Sequence, residues 1–229
     1  CGSGGFLIRS FEYVREQIES ELEQRKEEIK AQLIPNNYNE LKTKEQEAID
    51  AKISDAFSKM NFEADINNAK GRLRSLSFDC IYGTDANPRM ARTAKMNMIM
   101  HGDGHGGVHH HDGLLNVNGI WDGRFDVILT NPPFGARVDK DSIITEADKF
   151  TDDVKIKAYV KRYGEEYLTA LKQVNDHIGE PLLKQFEVGK MSALTEVLFI
   201  DRCLNLLKPG GRLGIVLPEG VLNNTNLQN

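Results

Sequence analysis

Asn131-Pro132-Pro133-Phe134 brings a carboxamide, two prolines and an aromatic ring together directly after the apolar run Phe125-Asp126-Val127-Ile128-Leu129-Thr130. The run predicts a buried strand. Consecutive prolines fix φ and offer no N–H, so they would end that strand abruptly and hold the preceding carbonyls in one orientation. Two acceptors then converge, the Asn131 side-chain oxygen and the Pro132 main-chain carbonyl. An exocyclic amine on an aromatic ring is a poor nucleophile because its lone pair is delocalised. Accepting both its hydrogens in a dry site would localise that pair for attack on a methyl group, with Phe134 stacked on the ring. A Pro-Pro turn closing an ordinary strand reads the same four residues without chemistry.

Two further segments carry binding chemistry. Cys1-Gly2-Ser3-Gly4-Gly5-Phe6-Leu7-Ile8 packs three glycines into a turn that runs straight into a helical pattern. Glycines there permit positive φ and let backbone amides approach a ligand without a Cβ in the way; a flexible terminus is the plainer reading. Phe78-Asp79-Cys80-Ile81-Tyr82-Gly83-Thr84-Asp85 reads as a second strand ending on a carboxylate, and Asn87-Pro88 opens a helix through Met98. An acid at that point of a doubly wound unit is the usual partner of two ribose hydroxyls, and Asp before Pro also serves as an N-cap.

Taken in order, these segments resemble the N6-adenine DNA methyltransferases, most closely the modification subunit of type I restriction systems. The resemblance implies a cofactor loop for S-adenosylmethionine at Cys1, Gly2, Ser3, Gly4, Gly5 and Phe6, with Phe6 against the methionine part. It implies ribose binding at Asp85 and Ala86, and contact with the cofactor adenine at Asp112 and Gly113 within His109-His110-His111-Asp112-Gly113-Leu114. Asp103 is the alternative adenine-contacting acid. Asn131, Pro132, Pro133 and Phe134 correspond to the catalytic tetrapeptide, Asn131 also bordering the cofactor, and Leu206 to Pro218 to a helix end and the following strand. The family places a strand and an Asp-Pro-Ala lead before the glycine loop. The expectation is therefore a section of a longer protein that starts inside the cofactor motif.

Other elements frame these groups. Residues 15–33 carry apolar side chains at Ile18, Leu22, Ile29 and Leu33 with charge pairs such as Glu21 with Arg25, Pro35-Asn36-Asn37 breaks the pattern, and a second helix runs from about Glu40 to Met60. A helical hairpin inserted over about 15–75 follows, either a partner contact or a solvated elaboration. A second insertion, about 135–190, contains one helix from Val154 to Leu171, whose Lys155, Lys157, Lys161 and Arg162 are candidates for phosphate contact or simply a solvated face. The histidine-dense stretch at His101, His105, His109, His110 and His111 could bind metal, but glycines dilute it and methyl transfer from a sulfonium needs none, so no metal site is expected.

Composition sets the outer bounds. Two fifths of the 229 residues are apolar, enough for one sizeable core. A net charge of −5 argues against a self-sufficient DNA clamp, because phosphate neutralisation needs Lys and Arg concentrated locally or borrowed from a partner. Three scattered cysteines give neither a disulfide framework nor zinc spacing and fit a reducing cytoplasm, which the resemblance implies is bacterial or archaeal. The expected architecture is one catalytic α/β domain, a doubly wound, mostly parallel sheet of the S-adenosylmethionine-dependent methyltransferase type. The resemblance implies methyl transfer to N6 of a flipped adenine in double-stranded DNA. It also implies a DNA-specificity subunit and a restriction subunit as partners and no membrane. The rivals are a protein-glutamine N-methyltransferase and a non-catalytic cofactor-binding scaffold.

Overall fold

The computed structural model describes residues 1–102, 104 and 107–222, so Asp103, His105 and the polar tail from 223 lie outside the described residues. The chain divides into two compact units: Cys1–Phe6, Tyr82–Ala94 and Val108–Asn229 form one, Leu7–Ile81 and Lys95–Gly107 the other. No described helix is long and apolar enough to cross a membrane.

The second unit is helical. Helix α1 (Gly5–Leu33) buries Phe11, Ile18 and Leu22, a narrow stripe at spacings of seven and four that one helix face can bury. Helix α2 (Thr43–Ala64) follows the expected break, starts with Glu45 accepting the Lys42 N–H at 3.0 Å, and buries only Met60. A short helix α3 (Arg72–Ser75) ties the two together: Arg72 reaches Glu21 at 2.8 Å and Glu63 at 3.9 Å. The strand expected from Phe78 is mostly helical instead. Residues Leu76–Cys80 continue α3 as a π-turn with Leu76 and Ser77 buried, and Arg74 lies over the Phe78 ring at 3.4 Å. That local cation–ring contact, with Leu76 already buried, outweighs the β preference of the apolar residues.

The first unit carries all the described strands. Strand β1 (Gly83–Asp85) is followed by helix α4 (Pro88–Met100) and pairs in parallel with β2 (Val108–His110), Asp85 opposite His110. Strand β3 (Phe125–Thr130) pairs in parallel with β4 (Leu207–Ile215), in register from Val127 opposite Arg212 to Thr130 opposite Ile215. The described strands thus form two parallel ribbons rather than the full doubly wound sheet expected from the sequence. With one partner each, the strands keep an open edge, and β3 is not buried: Val127 is 57 % and Leu129 47 % exposed. Parallel pairing requires a crossover, and here helices supply it, α4 between β1 and β2 and helix α7 (Thr195–Leu206) running directly into β4.

The core of this unit draws on the second insertion. Leu114, Leu115 and Leu198 pack with Ile144, Val174, Leu182 and Phe186. The single helix expected over 154–171 is two, α5 (Asp153–Tyr163) and α6 (Glu166–Asn175), separated by Gly164 at φ +78°. Helical periodicity cannot register a break made by one left-handed glycine. Trp121 packs with Tyr167, Ala170 and Leu171, and the Arg124 guanidinium lies 4.3–4.5 Å from the ring centres of Trp121, Tyr82 and Tyr163. This box joins the loop before β3 to β1 and α5. A short helix α8 (Glu219–Leu222) follows β4.

Candidate active site

The carboxyl end of β1 meets the glycine turn. The Gly2 N–H donates to Asp85 Oδ2 at 2.8 Å, the Asn87 N–H donates to Asp85 Oδ1 at 2.8 Å, and the Cys1 nitrogen lies 3.1 Å from Oδ2 and donates to the Thr84 carbonyl at 2.6 Å. Partial burial pushes the Asp85 pKa up, but these donors outweigh it and hold the carboxyl below its ordinary range. Capping of α4 belongs to Asn87, whose Oδ1 accepts the Arg89 N–H at 2.9 Å, so Asp85 serves the loop rather than the helix. Gly2 and Gly4 take φ of +56° and +92°, and Gly4 lies so close to α4 that a Cβ would stand 3.3 Å from Ala94 Cα. Around Gly2 and Gly5, by contrast, a Cβ would meet nothing within 4 Å. Ser3 sits in the turn between them, Gly5 starts α1, and Phe6 is 46 % exposed. A carboxylate at the end of a parallel strand beside an open glycine turn fits a polar ligand carrying hydroxyls.

β2 ends beside β1. The His111 N–H donates to the Asp85 carbonyl at 3.2 Å, adding a rung to the ladder, and His110 Nε2 donates to the Ala86 carbonyl at 3.1 Å. Asp112 turns the chain with Oδ1 accepting the Leu114 N–H at 2.9 Å. Gly113 is tightly enclosed: a Cβ there would stand 3.1 Å from Phe199 and 3.3 Å from Thr84 Oγ1. Asp85, Ala86, Asp112 and Gly113 therefore share the carboxyl ends of two adjacent parallel strands.

β3 delivers the tetrapeptide. The Val216 N–H donates to the Thr130 carbonyl at 3.0 Å, so pairing with the β4 side continues to the last strand residue. Pro132 is then buried, while Asn131 and Pro133 are exposed and Phe134 is 50 % exposed. Among the described residues no donor engages the Asn131 side chain or the Pro132 carbonyl, and none of residues 131–134 bonds to the glycine turn, Asp85 or Asp112. Gly135 turns the chain at φ +69°, and the strip that follows is laced to the start of α7: Val138 N–H to Ala193 at 2.9 Å and Thr195 N–H to Ala136 at 3.0 Å.

Helix α7 connects the two ends, a role the sequence reading did not give it. Glu196 Oε1 accepts the Gly135 N–H at 3.4 Å, Phe199 covers Gly113, and Arg202 Nε donates to the Gly113 carbonyl at 3.3 Å. Three residues at spacing three share one face of a helix. Arg202 is 2 % exposed and also pairs with Asp122 at 2.7 Å and Asn116 Oδ1 at 2.8 Å. Charged residues on the buried side of an amphipathic helix were the available signal for this face.

The basic residues proposed for phosphate contact lie on α5. Its apolar side, with Ile156, Tyr159, Val160 and Tyr163, packs on the Trp121 cluster, leaving Lys155, Lys157, Lys161 and Arg162 exposed. Lys155 pairs with Asp152 at 3.4 Å; Lys157 and Lys161 have no ion pair among the described residues.

Compared with known proteins, residues 62–164 match the family model for N-6 DNA Methylase. No curated protein matches the chain. The matched span holds Asp85, Asp112 and residues 131–134, while the glycine turn and α7 lie outside it. Over that span the chain is similar to the N6-adenine DNA methyltransferases, a likeness that supports a DNA methyltransferase built on short parallel strands.

Proposed function

We propose that the protein transfers a methyl group from S-adenosylmethionine to N6 of an adenine in DNA. Its setting would be a restriction-modification system of the type I kind, in which a separate specificity subunit reads the sequence. The observation that carries this reading is the pair of acceptors at the end of β3, Asn131 Oδ1 and the Pro132 carbonyl, unengaged among the described residues and beside a half-exposed Phe134. Bound at Gly2, Gly4, Gly5, Asp85 and Asp112, the cofactor supplies an electrophilic methyl on a sulfonium. Asn131 and Pro132 accept the two N6 hydrogens and localise the nitrogen lone pair, and Phe134 stacks on the base once it has left the duplex. Pro132 and Pro133 keep those acceptors from reorienting, so little reorganisation is needed as charge develops. Lys157 and Lys161 on α5 contact the DNA backbone.

The test compares labelled methyl incorporation by wild type and Asn131→Ala in the full-length protein with its specificity partner. Loss of one preorganised polar contact at a reacting centre costs about 10²–10³ in rate. Asn131→Ala should therefore lose transfer by at least that factor while binding cofactor as wild type does. Equal transfer in the variant refutes the mechanism. Transfer to a glutamine-containing peptide but not to adenine-containing duplex would replace the substrate, and cofactor binding without any transfer would leave a scaffold.

A further inference from the structure

Glu196 is 4 % exposed, yet it holds its carboxylate with one contact, the Gly135 N–H at 3.4 Å. Its other oxygen, Oε2, is buried with no hydrogen-bond partner, and no Lys, Arg or His pairs with the group among the described residues. A buried carboxylate so poorly satisfied is costly, and an apolar side chain of similar volume would serve stability as well or better. Partial compensation comes from its place in the first turn of α7, where exposed backbone N–H groups favour negative charge. A costly group is best accounted for by what it touches. That is the turn immediately after Phe134, at a glycine whose φ of +69° leaves the direction of the chain to its hydrogen bonds.

We propose that Glu196 is the positioning residue of the base-stacking turn: through Oε1 it fixes Gly135, and through Gly135 the ring of Phe134. The proposal rests on the reading that residues 131–134 receive the base. Two further links support the geometry. The Val138 N–H donates to the Ala193 carbonyl and the Thr195 N–H to the Ala136 carbonyl, so the strip just after Gly135 is anchored at the same end of α7 that carries Glu196. One turn further along α7, Phe199 lies against Gly113, so the same helix touches both the turn after Phe134 and the loop after β2.

Three proteins test this: wild type, Glu196→Gln, which keeps an acceptor for the Gly135 N–H, and Glu196→Leu, which removes it. Readouts are cofactor Kd, single-turnover methyl transfer, fluorescence of 2-aminopurine at the target base, and amide exchange of Gly135 without substrate. Glu196→Leu should transfer at least tenfold more slowly, with cofactor Kd within about twofold of wild type, altered 2-aminopurine emission, and a urea midpoint equal or higher. Glu196→Gln should stay within about threefold of wild type in rate. Gly135 exchange should rise in the Leu variant alone, a result independent of any methyl transfer. If wild type methylates no DNA, the proposed function fails while the exchange data still decide the turn. Wild-type exchange and rate in Glu196→Leu, equal losses in both variants, or a cofactor Kd that rises in step with the rate loss would each overturn the proposal.

Discussion

Asp85→Asn isolates the contact that joins β1 to the glycine turn. The two carboxylate oxygens are used separately, Oδ2 by the Gly2 N–H and Oδ1 by the Asn87 N–H, each at 2.8 Å. A carboxamide of the same shape has one oxygen, so one amide hydrogen bond must go and an NH2 group must face an N–H donor. A hydrogen bond to a charged group contributes about 1.5–3 kcal/mol net. Partial exposure of the side chain, 18 %, argues for the lower half of that range, about 2 kcal/mol. The assay is urea unfolding followed by Trp121, the chain's only tryptophan, which is buried in the unit that holds the contact. With a slope of about 2 kcal/mol per molar urea, the midpoint should fall by about 1 M. The pH dependence has a definite sign. The folded pKa of Asp85 lies below the unfolded value, so its contribution is fully present above the unfolded pKa, near 3.9, and is lost as pH falls toward the folded one. The gap between wild type and Asp85→Asn should thus be steady from pH 7 to about 5 and close below pH 4. Coincident midpoints at pH 7, or a gap undiminished at pH 3, would refute the assignment of the carboxylate as the anchor of the turn.

Arg202→Met should lower the urea midpoint more than Asp85→Asn does. It leaves the Asn116 oxygen and the Gly113 carbonyl without a donor, at about 1–3 kcal/mol each. Gly4→Ala should destabilise the same unit and weaken cofactor binding, because φ is +92° and the new Cβ meets Ala94 at 3.3 Å, whereas Gly5→Ala, with open space around it and no positive φ, should leave the stability of the unit unchanged. Replacing Lys157 and Lys161 together by alanine should leave cofactor binding unchanged and reduce the salt slope of DNA binding by about 1.8, two phosphate contacts at about 0.9 each. An unchanged slope would remove α5 from the DNA interface.

How far the sequence could be read depended on whether the decisive contact was local. Residues 125–130 form the strand expected of them, because an apolar run closed by two prolines permits little else. Their exposure was not legible: an apolar run reports what a strand would bury, while burial depends on neighbours that the run does not encode. The break between α5 and α6 rests on the conformation of one glycine, and the π-turn at Leu76–Cys80 on packing around Leu76 and the Arg74–Phe78 contact. The second insertion was legible as polar and loop-like, yet Ile144, Leu182 and Phe186 fill the core beside Leu198. Isolated apolar residues without a period give no sign of the partner they will meet.

The same distinction explains why motif residues alone make an incomplete site. Asp85, Asp112 and Asn131 each stand where a strand stops, and a strand's end can be read from local punctuation. What holds those ends in mutual register is α7, more than sixty residues after Asn131, through Glu196 on Gly135, Phe199 on Gly113 and Arg202 on the Gly113 carbonyl. In-line transfer depends on the reacting atoms being placed to within a fraction of an ångström. The rigidity of α7 should therefore limit the rate as much as the tetrapeptide does. All three of its contacts fall on glycines, Gly135 and Gly113, where no Cβ separates the helix from the backbone it positions.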